Sequence, residues 1–131
     1  MKLHLDTHIW VWALAAPEKL LKTVAAELEN GENELWLSPM SVWEVVVLVE
    51  KRRLELPKEP VRWIWDSWRD LSLQEAPLTV EIAIESRRMG VETRDPVDRF
   101  LAATAKVYGL TLVTSDARLI ASTGFHVLAN R

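Results

Sequence analysis

Short apolar segments alternate with helix-forming segments along the whole chain, and this alternation constrains the fold more than any other feature. Strand-like runs occur at residues 3–5, 34–37, near 73, at 110–113 and at 125–128. Strands that are separated by helices return to the same edge and run parallel. A parallel sheet buries both of its faces under helices. The sequence therefore predicts an α/β fold: a three-layer α/β/α domain with a central parallel sheet.

Serine, aspartate and proline mark where two of the helices begin. Ser38 and Asp95 are each followed by proline, a pattern typical of an N-cap and the first helical position. The helix after Ser38 has a rival interpretation, because its valine-rich run at 42–49 favours a buried strand by local propensity. The capping signals at both ends, Ser38-Pro39 at the start and the basic cluster at 51–53 at the end, decide for helix. Further helices are predicted at 7–14, 18–29, 61–71, from 79 to about 89, and at 117–121.

The totals of the sequence limit the kinds of site to consider. A chain of 131 residues is the size of one ordinary domain, so we predict a single domain over residues 1–131. Its longest apolar run has eight residues, at 9–16, which is far below the roughly 18 needed to cross a bilayer. The first residues lack the pattern of a secretory signal, and we expect a cytoplasmic location.

Composition also limits the metal chemistry and the ways in which the protein could bind nucleic acid. The absence of cysteine excludes disulfides and thiolate zinc sites. Carboxylates remain, and oxygen ligands favour Mg²⁺ or Mn²⁺. A net charge of −3 argues against binding nucleic acid through bulk positive charge. Any contact with RNA must therefore be local.

Four acids lie where an open parallel sheet places its ligands, beyond the carboxyl ends of the strands. Asp6 ends the first strand and Asp116 follows the strand at 110–113. Glu44 lies in the early turns of the helix after 34–37, and Asp98 in the first turn of its own helix. Clustered carboxylates need a cation or protons to offset their repulsion. A divalent ion held there would activate water for attack on a phosphodiester.

Each acid also has a simpler explanation. Asp6 and Asp116 would serve equally well as N-caps, and Asp95 fits the cap of its helix better than Asp98 does. Asp98 would gain from the helix dipole without any catalytic purpose. Glu44 interrupts an apolar run, where an unpaired charge is costly to bury, unless it faces solvent or pairs with a basic side chain. Glu44 is therefore the most informative of the four.

Several neighbours of these acids are candidates for supporting roles. Thr7, Thr114 and Ser115 adjoin proposed ligands and would hydrogen-bond them or a phosphate, although turn chemistry explains them equally well. Arg99 follows Asp98 and would meet RNA phosphates, while a solvated helix face is the commoner explanation for arginines in this region. The three histidines lack the spacing of metal ligands, and no role is assigned to them.

Four ordered motifs that span nearly the whole chain resemble those of the PIN-domain ribonucleases, specifically the VapC-type toxins of toxin–antitoxin pairs. They are LDTH at 5–8, SVWE at 41–44, DPVDR at 95–99 and LVTSD at 112–116. The resemblance implies a PIN-like fold, a Mg²⁺- or Mn²⁺-dependent endoribonuclease, a homodimer and inhibition by a cognate antitoxin. It also places the catalytic, metal-binding acids at Asp6, Glu44, Asp98 and Asp116. Val97 departs from the aromatic residue often found in the third motif.

Three other functions compete with a toxin. A PIN nuclease with an RNA-processing role would share the same site. A phosphatase-like Mg²⁺ enzyme would also carry an aspartate after its first strand, but His8 stands where the second aspartate of its Asp-x-Asp motif belongs. A non-enzymatic module would use the acids only as caps and would recruit a partner through its seven tryptophans.

Overall fold

The computed structural model describes residues 1–131 and contains one parallel sheet of five strands in the order β3-β2-β1-β4-β5. The strands are β1 (Lys2–Leu5), β2 (Glu34–Leu37), β3 (Leu73–Glu75), β4 (Thr111–Thr114) and β5 (His126–Ala129). The helices are α1 (Thr7–Ala15), α2 (Lys22–Glu29), α3 (Pro39–Glu50), α4 (Pro60–Asp70), α5 (Val80–Arg88), α6 (Pro96–Tyr108) and α7 (Ala117–Ala121). The predicted order of strands and helices is confirmed.

Side chains of the sheet alternate between two buried faces. Leu3 pairs in register with Leu35, and both pack in a cluster with side chains of α1, α2, α3 and α4. The neighbouring pair, His4 and Trp36, points to the opposite face. There Leu112 of β4 joins a second cluster with side chains of α5, α6 and α7. Apolar clusters on both faces give the three-layer α/β/α architecture that the sequence predicted.

Capping residues fix the helix starts that face the carboxyl edge of the sheet. The Ser38 hydroxyl accepts the N–H of Met40 at 3.0 Å, and Pro39 occupies the first helical position of α3. Because its start is fixed in this way, the valine-rich run forms a helix and not the alternative strand. At the C-terminal end of α6, Gly109 adopts a left-handed conformation with φ of 66°, which glycine tolerates without strain.

The helix expected at residues 18–29 is wrong as a continuous element. The structure has a short 3₁₀ turn at Pro17–Lys19, and α2 begins only at Lys22. Leu20 is extended between them, with φ of −91° and ψ of 140°. The backbone N–H of Leu21 donates to the side chain of Asn130 at 2.7 Å, which replaces a helical hydrogen bond. A tertiary contact from the last strand region therefore interrupts the helix.

The remaining boundaries differ from the sequence prediction by one or two residues, as at β4 and β5. No helix in residues 1–131 is both long enough and apolar enough to cross a bilayer.

Candidate active site

A pocket of about 350 Å³ opens where β1 and β4 end and where α1, α6 and α7 begin. Parallel strands deliver their carboxyl ends to this one edge, so residues far apart in the sequence meet there. The pocket is lined by Asp6, His8, Trp12, Glu44, Asp95, Asp98, Ser115, Asp116 and Arg118. The structure thus brings all four sequence-predicted acids to the same pocket.

Asp6 is held by hydrogen bonds to both of its carboxylate oxygens. Its Oδ1 accepts the backbone N–H of Thr7 at 2.7 Å, which caps α1. Its Oδ2 accepts the hydroxyl of Thr114 at 2.6 Å, a bond that joins the ends of β1 and β4. Burial raises the pKa of the Asp6 carboxyl, and these hydrogen bonds offset part of the rise. The carboxylate is therefore fixed in position before any ligand arrives.

Asp98 is the most perturbed acid of the pocket. It lies in the first turn of α6 and is buried. Burial and the charges of neighbouring carboxylates raise its pKa to about 7. Those carboxylates, in order of effect, belong to Asp6, Asp95, Asp116 and Glu44. Asp98 therefore lies among negative charges that a proton or a cation would offset.

Glu44 reaches the pocket from α3 and is half-buried. Burial raises its pKa, and contact with the Thr7 hydroxyl offsets part of this rise. The Thr7 hydroxyl also lies 3.0 Å from the Ser41 hydroxyl, within hydrogen-bond distance, so it ties the start of α1 to α3. Of the two simpler explanations for Glu44, pairing with a basic side chain is excluded, while the half-buried carboxylate still faces solvent in part. It does not pair with a lysine or an arginine, and it lines a pocket of other acids.

Asp116 differs from the other three because a basic side chain, that of Arg118, lies beside it. Burial raises the pKa of its carboxyl, but hydrogen bonds from Arg118 outweigh this effect and the net pKa is lowered. The backbone N–H of Arg118 donates to Asp116 Oδ1 at 2.8 Å, and its guanidinium lies 3.4 Å from Oδ2. Asp116 also caps α7. It is the pocket acid whose negative charge costs least at neutral pH.

The supporting residues named from the sequence fall into two groups. Thr7, Thr114 and Ser115 all lie at the pocket edge, where the first two contact Glu44 and Asp6 and the third lines the pocket. Arg99 lies elsewhere. Its guanidinium donates to the backbone carbonyls of Ser86, Met89 and Thr93 at 2.7 to 3.0 Å. It braces the segment between α5 and α6, and it does not line the pocket.

Sequence reasoning missed four residues of the pocket. Asp95 caps α6, as expected, but its side chain also lines the pocket. His8 and Trp12 lie four residues apart on α1, so one helix face presents both, and this spacing was a usable signal. Arg118 follows Asp116 by two residues, but nothing in the sequence indicates that its guanidinium turns back towards the carboxylate.

The donor set suits a hard divalent cation, although the side chains do not converge on one point. Five carboxylates line the pocket against one arginine, and oxygen ligands of this kind prefer Mg²⁺ or Mn²⁺. The raised pKa of Asp98 marks negative charge that a cation would offset. No group of three or more His, Asp or Glu side chains is spaced to hold a metal ion as placed. Binding would require side-chain rotation to draw the carboxylates together.

Fold and pocket together define a three-layer α/β domain with acids gathered at the carboxyl edge of a parallel sheet. The sequence pattern of the PIN domain matches residues 3–125, and the chain belongs to the PIN domain family. The resemblance inferred from the four motifs is thereby confirmed.

A named relative supports this assignment. Ribonuclease VapC22 of Mycobacterium tuberculosis is 30% identical over 118 residues, which cover 88% of this chain and 87% of that protein.

Two solved structures share the fold. One is VapBC2 from Rickettsia felis bound to a DNA fragment from their promoter, with a TM-score of 0.71, 18% identity and 98% coverage of each chain. The other is VapBC-5 from Mycobacterium tuberculosis, a member of the VapBC family of toxin–antitoxin systems. Its TM-score is 0.61 and its identity 17%, over 99% of this chain and 98% of that chain.

Proposed function

We propose that this protein is a Mg²⁺- or Mn²⁺-dependent endoribonuclease and the toxin of a toxin–antitoxin pair. One observation carries the proposal: Asp6, Glu44, Asp98 and Asp116 come from four separate parts of a PIN-domain chain and line one pocket. The name of the relative at 30% identity, a VapC ribonuclease, agrees with RNA as the substrate.

The four acids would hold the cation, each from a different structural element. Asp6 and Asp116 are fixed by hydrogen bonds at their helix starts, while Glu44 reaches in from the second turn of α3. When bound, Mg²⁺ or Mn²⁺ supplies an activated water and stabilises the charge that develops on the phosphodiester. Asp98 must lose its proton before it can act as a ligand, since its pKa is raised to about 7. No covalent protein intermediate is required.

The decisive experiment compares RNA cleavage by the wild type and by Asp6→Asn, each with Mg²⁺, Mn²⁺ or EDTA. Asparagine retains an oxygen that can cap α1 but removes the negative charge, so we expect a folded variant with activity reduced at least 100-fold. Glu32→Gln is the matched control, because Glu32 is exposed in the turn before β2 and lies outside the pocket. Equal cleavage by the wild type and Asp6→Asn would reject the assignment.

Titration calorimetry with Mn²⁺ distinguishes the enzyme from a module that only binds a partner. We expect saturable Mn²⁺ uptake by the wild type and its loss in Asp98→Asn. A protein in which the acids serve only as caps would bind no Mn²⁺ in either form.

The antitoxin is the expected protein partner, and a growth assay separates a toxin from an RNA-processing nuclease. Structural neighbours named VapBC, one of them assigned to toxin–antitoxin systems, support such a partner. Induced expression of the wild type in bacteria should stop growth, whereas Asp6→Asn should not. Co-expression of a small neighbouring gene should restore growth. A wild type that cleaves RNA without arresting growth would favour the RNA-processing role.

A homodimer is also expected. Val80 and Ile84 lie one turn apart on α5 and are 78% and 47% exposed, and Leu78 just before this helix is 40% exposed. Such apolar side chains on one helix face are typical of subunit contacts. Light scattering should give twice the monomer mass, and Val80→Glu together with Ile84→Glu should restore the monomer mass.

A further inference from the structure

Trp12 is the one apolar residue among the nine that line the acidic pocket. It lies on α1, one turn beyond His8 and on the same helix face. Its side chain is only partly buried and packs on one side against the apolar cluster formed by α1 to α4. One side of the indole is therefore fixed by packing against the core, while another part of the ring remains exposed to the pocket.

The surroundings of Trp12 differ from those of Trp10, the other tryptophan of α1. Trp10 is fully buried and donates its indole N–H to Ser67 at 3.0 Å, which is a core role. Around Trp12, the ring of His8 lies 5.7 Å away between centroids, and the Lys19 ammonium lies 5.4 Å from the indole centroid. His8 and Lys19 are both exposed. The Lys19 ammonium lies over the indole ring, so a base that stacks on this face would take the place of the ammonium.

The charge of the protein limits how the pocket could bind RNA. A bound divalent cation would offset part of the charge of the five pocket carboxylates, but the net charge of −3 provides no long-range attraction for RNA. Affinity for RNA must then come from contacts that do not depend on bulk positive charge. Stacking of a base on an aromatic ring is such a contact, because every base presents a π-face.

We propose that Trp12 is a base-stacking platform that holds a nucleotide beside the scissile phosphate, with Lys19 contacting a neighbouring phosphate. This inference rests on the proposed ribonuclease function and adds a positioning residue to the substrate side of the pocket. The Lys19 stem is long and exposed, so a base that stacks on the indole would displace the ammonium from the ring face and leave it free to contact a phosphate. The stacked base must be unpaired and splayed from its neighbours, as in a loop or single strand.

The first test measures KM and kcat for cleavage of an RNA oligonucleotide by three variants of Trp12. Trp12→Leu keeps apolar packing against the core but removes the π-face, and should raise KM about 10- to 100-fold, the loss expected for one base–aromatic stack. Trp12→Phe keeps a smaller π-face and should lie between the leucine variant and the wild type. Trp12→Ala should resemble Trp12→Leu. In all three, kcat and Mn²⁺ affinity should stay within about twofold of the wild type.

The matched control is Trp65→Ala. Trp65 is 65% exposed on α4 and lies outside the acidic pocket, so its loss should leave KM unchanged. This control separates the effect of the platform from a general effect of removing surface tryptophan.

The second test replaces single nucleotides near the cleavage site with abasic ones. One abasic position should raise KM for the wild type by a similar factor, and should have no further effect on Trp12→Leu, because the stack is already lost. If Trp12→Leu has the same KM as the wild type, the proposed stacking role of Trp12 is refuted, and a protein partner on this surface is favoured. Equal abasic effects in both proteins would also overturn it. A wild type that cleaves no RNA with either metal would instead refute the proposed ribonuclease function.

Discussion

Asp98→Asn should stabilise the metal-free protein at alkaline pH. Asp98 is buried among other carboxylates, and its pKa is raised from 3.8 to about 7. In the folded state it binds a proton more tightly than in the unfolded state, so stability falls as the pH rises from about 4 to 7. Above pH 7 the full cost of the charge is present. Asparagine is neutral at every pH and avoids this cost.

The magnitude follows from the shift in pKa. A rise from 3.8 to about 7 corresponds to an upper limit of about 4 kcal/mol at 1.36 kcal/mol per pKa unit. Because the pocket opens to solvent, screening reduces the cost, and we expect Asp98→Asn to be more stable than the wild type by about 1–2 kcal/mol at pH 8. The gain should shrink towards zero at pH 4, where the wild-type carboxyl is protonated in the folded state.

Urea denaturation in EDTA, at pH 4 and pH 8, measures this effect. At pH 8 the midpoint of Asp98→Asn should exceed that of the wild type by roughly 0.5–1 M. Glu32→Gln should match the wild type at both pH values. Adding Mn²⁺ at pH 8 should stabilise the wild type more than Asp98→Asn and so narrow or reverse the difference. If Asp98→Asn gains nothing at pH 8, or gains equally at pH 4, the carboxylates do not repel one another as described.

Three further predictions concern single side chains. His4 is fully buried, and burial lowers its pKa to about 4 although the ring also lies against the backbone of Leu101, a contact that opposes the shift. The unfolded chain takes up a proton on His4 that the folded chain rejects, so between pH 6.5 and 4 the wild type should lose up to about 3 kcal/mol relative to His4→Leu in urea titration, a comparison in which the opposite contribution of Asp98 cancels. Thr114→Val keeps the buried shape but removes the hydrogen bond to Asp6, and calorimetry should show about 10-fold weaker Mn²⁺ binding. Gly109→Ala places a Cβ at φ of 66° and should cost about 1 kcal/mol in urea denaturation, with RNA cleavage unchanged.

The fold was predictable because its signals are local and agree with one another. Proline after Ser38 and after Asp95 fixed two helix starts, and the alternation of strands and helices required a parallel sheet. The exception was the helix expected at 18–29, which breaks where Leu21 bonds to Asn130, a residue 109 positions away. A contact at that separation leaves no trace in the local pattern.

The acids of the pocket were predictable from the sequence, but its other lining residues were not. Topology alone brings Asp6 and Asp116 together, since both follow parallel neighbouring strands. The direction of a side chain depends on rotamers and on partners, which sequence reasoning does not supply. Arg118 turns back to Asp116, while Arg99 turns away to three backbone carbonyls. Both are arginines close to a pocket acid, and only the structure distinguishes them.

The sequence left two roles open for each acid, helix cap or metal ligand. In this fold the two roles are compatible. Asp6, Asp95 and Asp116 all cap helices and all line the pocket. In Asp6 and Asp116 one oxygen accepts a backbone N–H and the other accepts the side chain of Thr114 or Arg118, so a metal ion would use a remaining lone pair or displace these side-chain donors. The positive end of each helix dipole also offsets some of the repulsion between the clustered charges. Helix starts at the carboxyl edge of the sheet are thus what allows the chain to gather acids there and still fold.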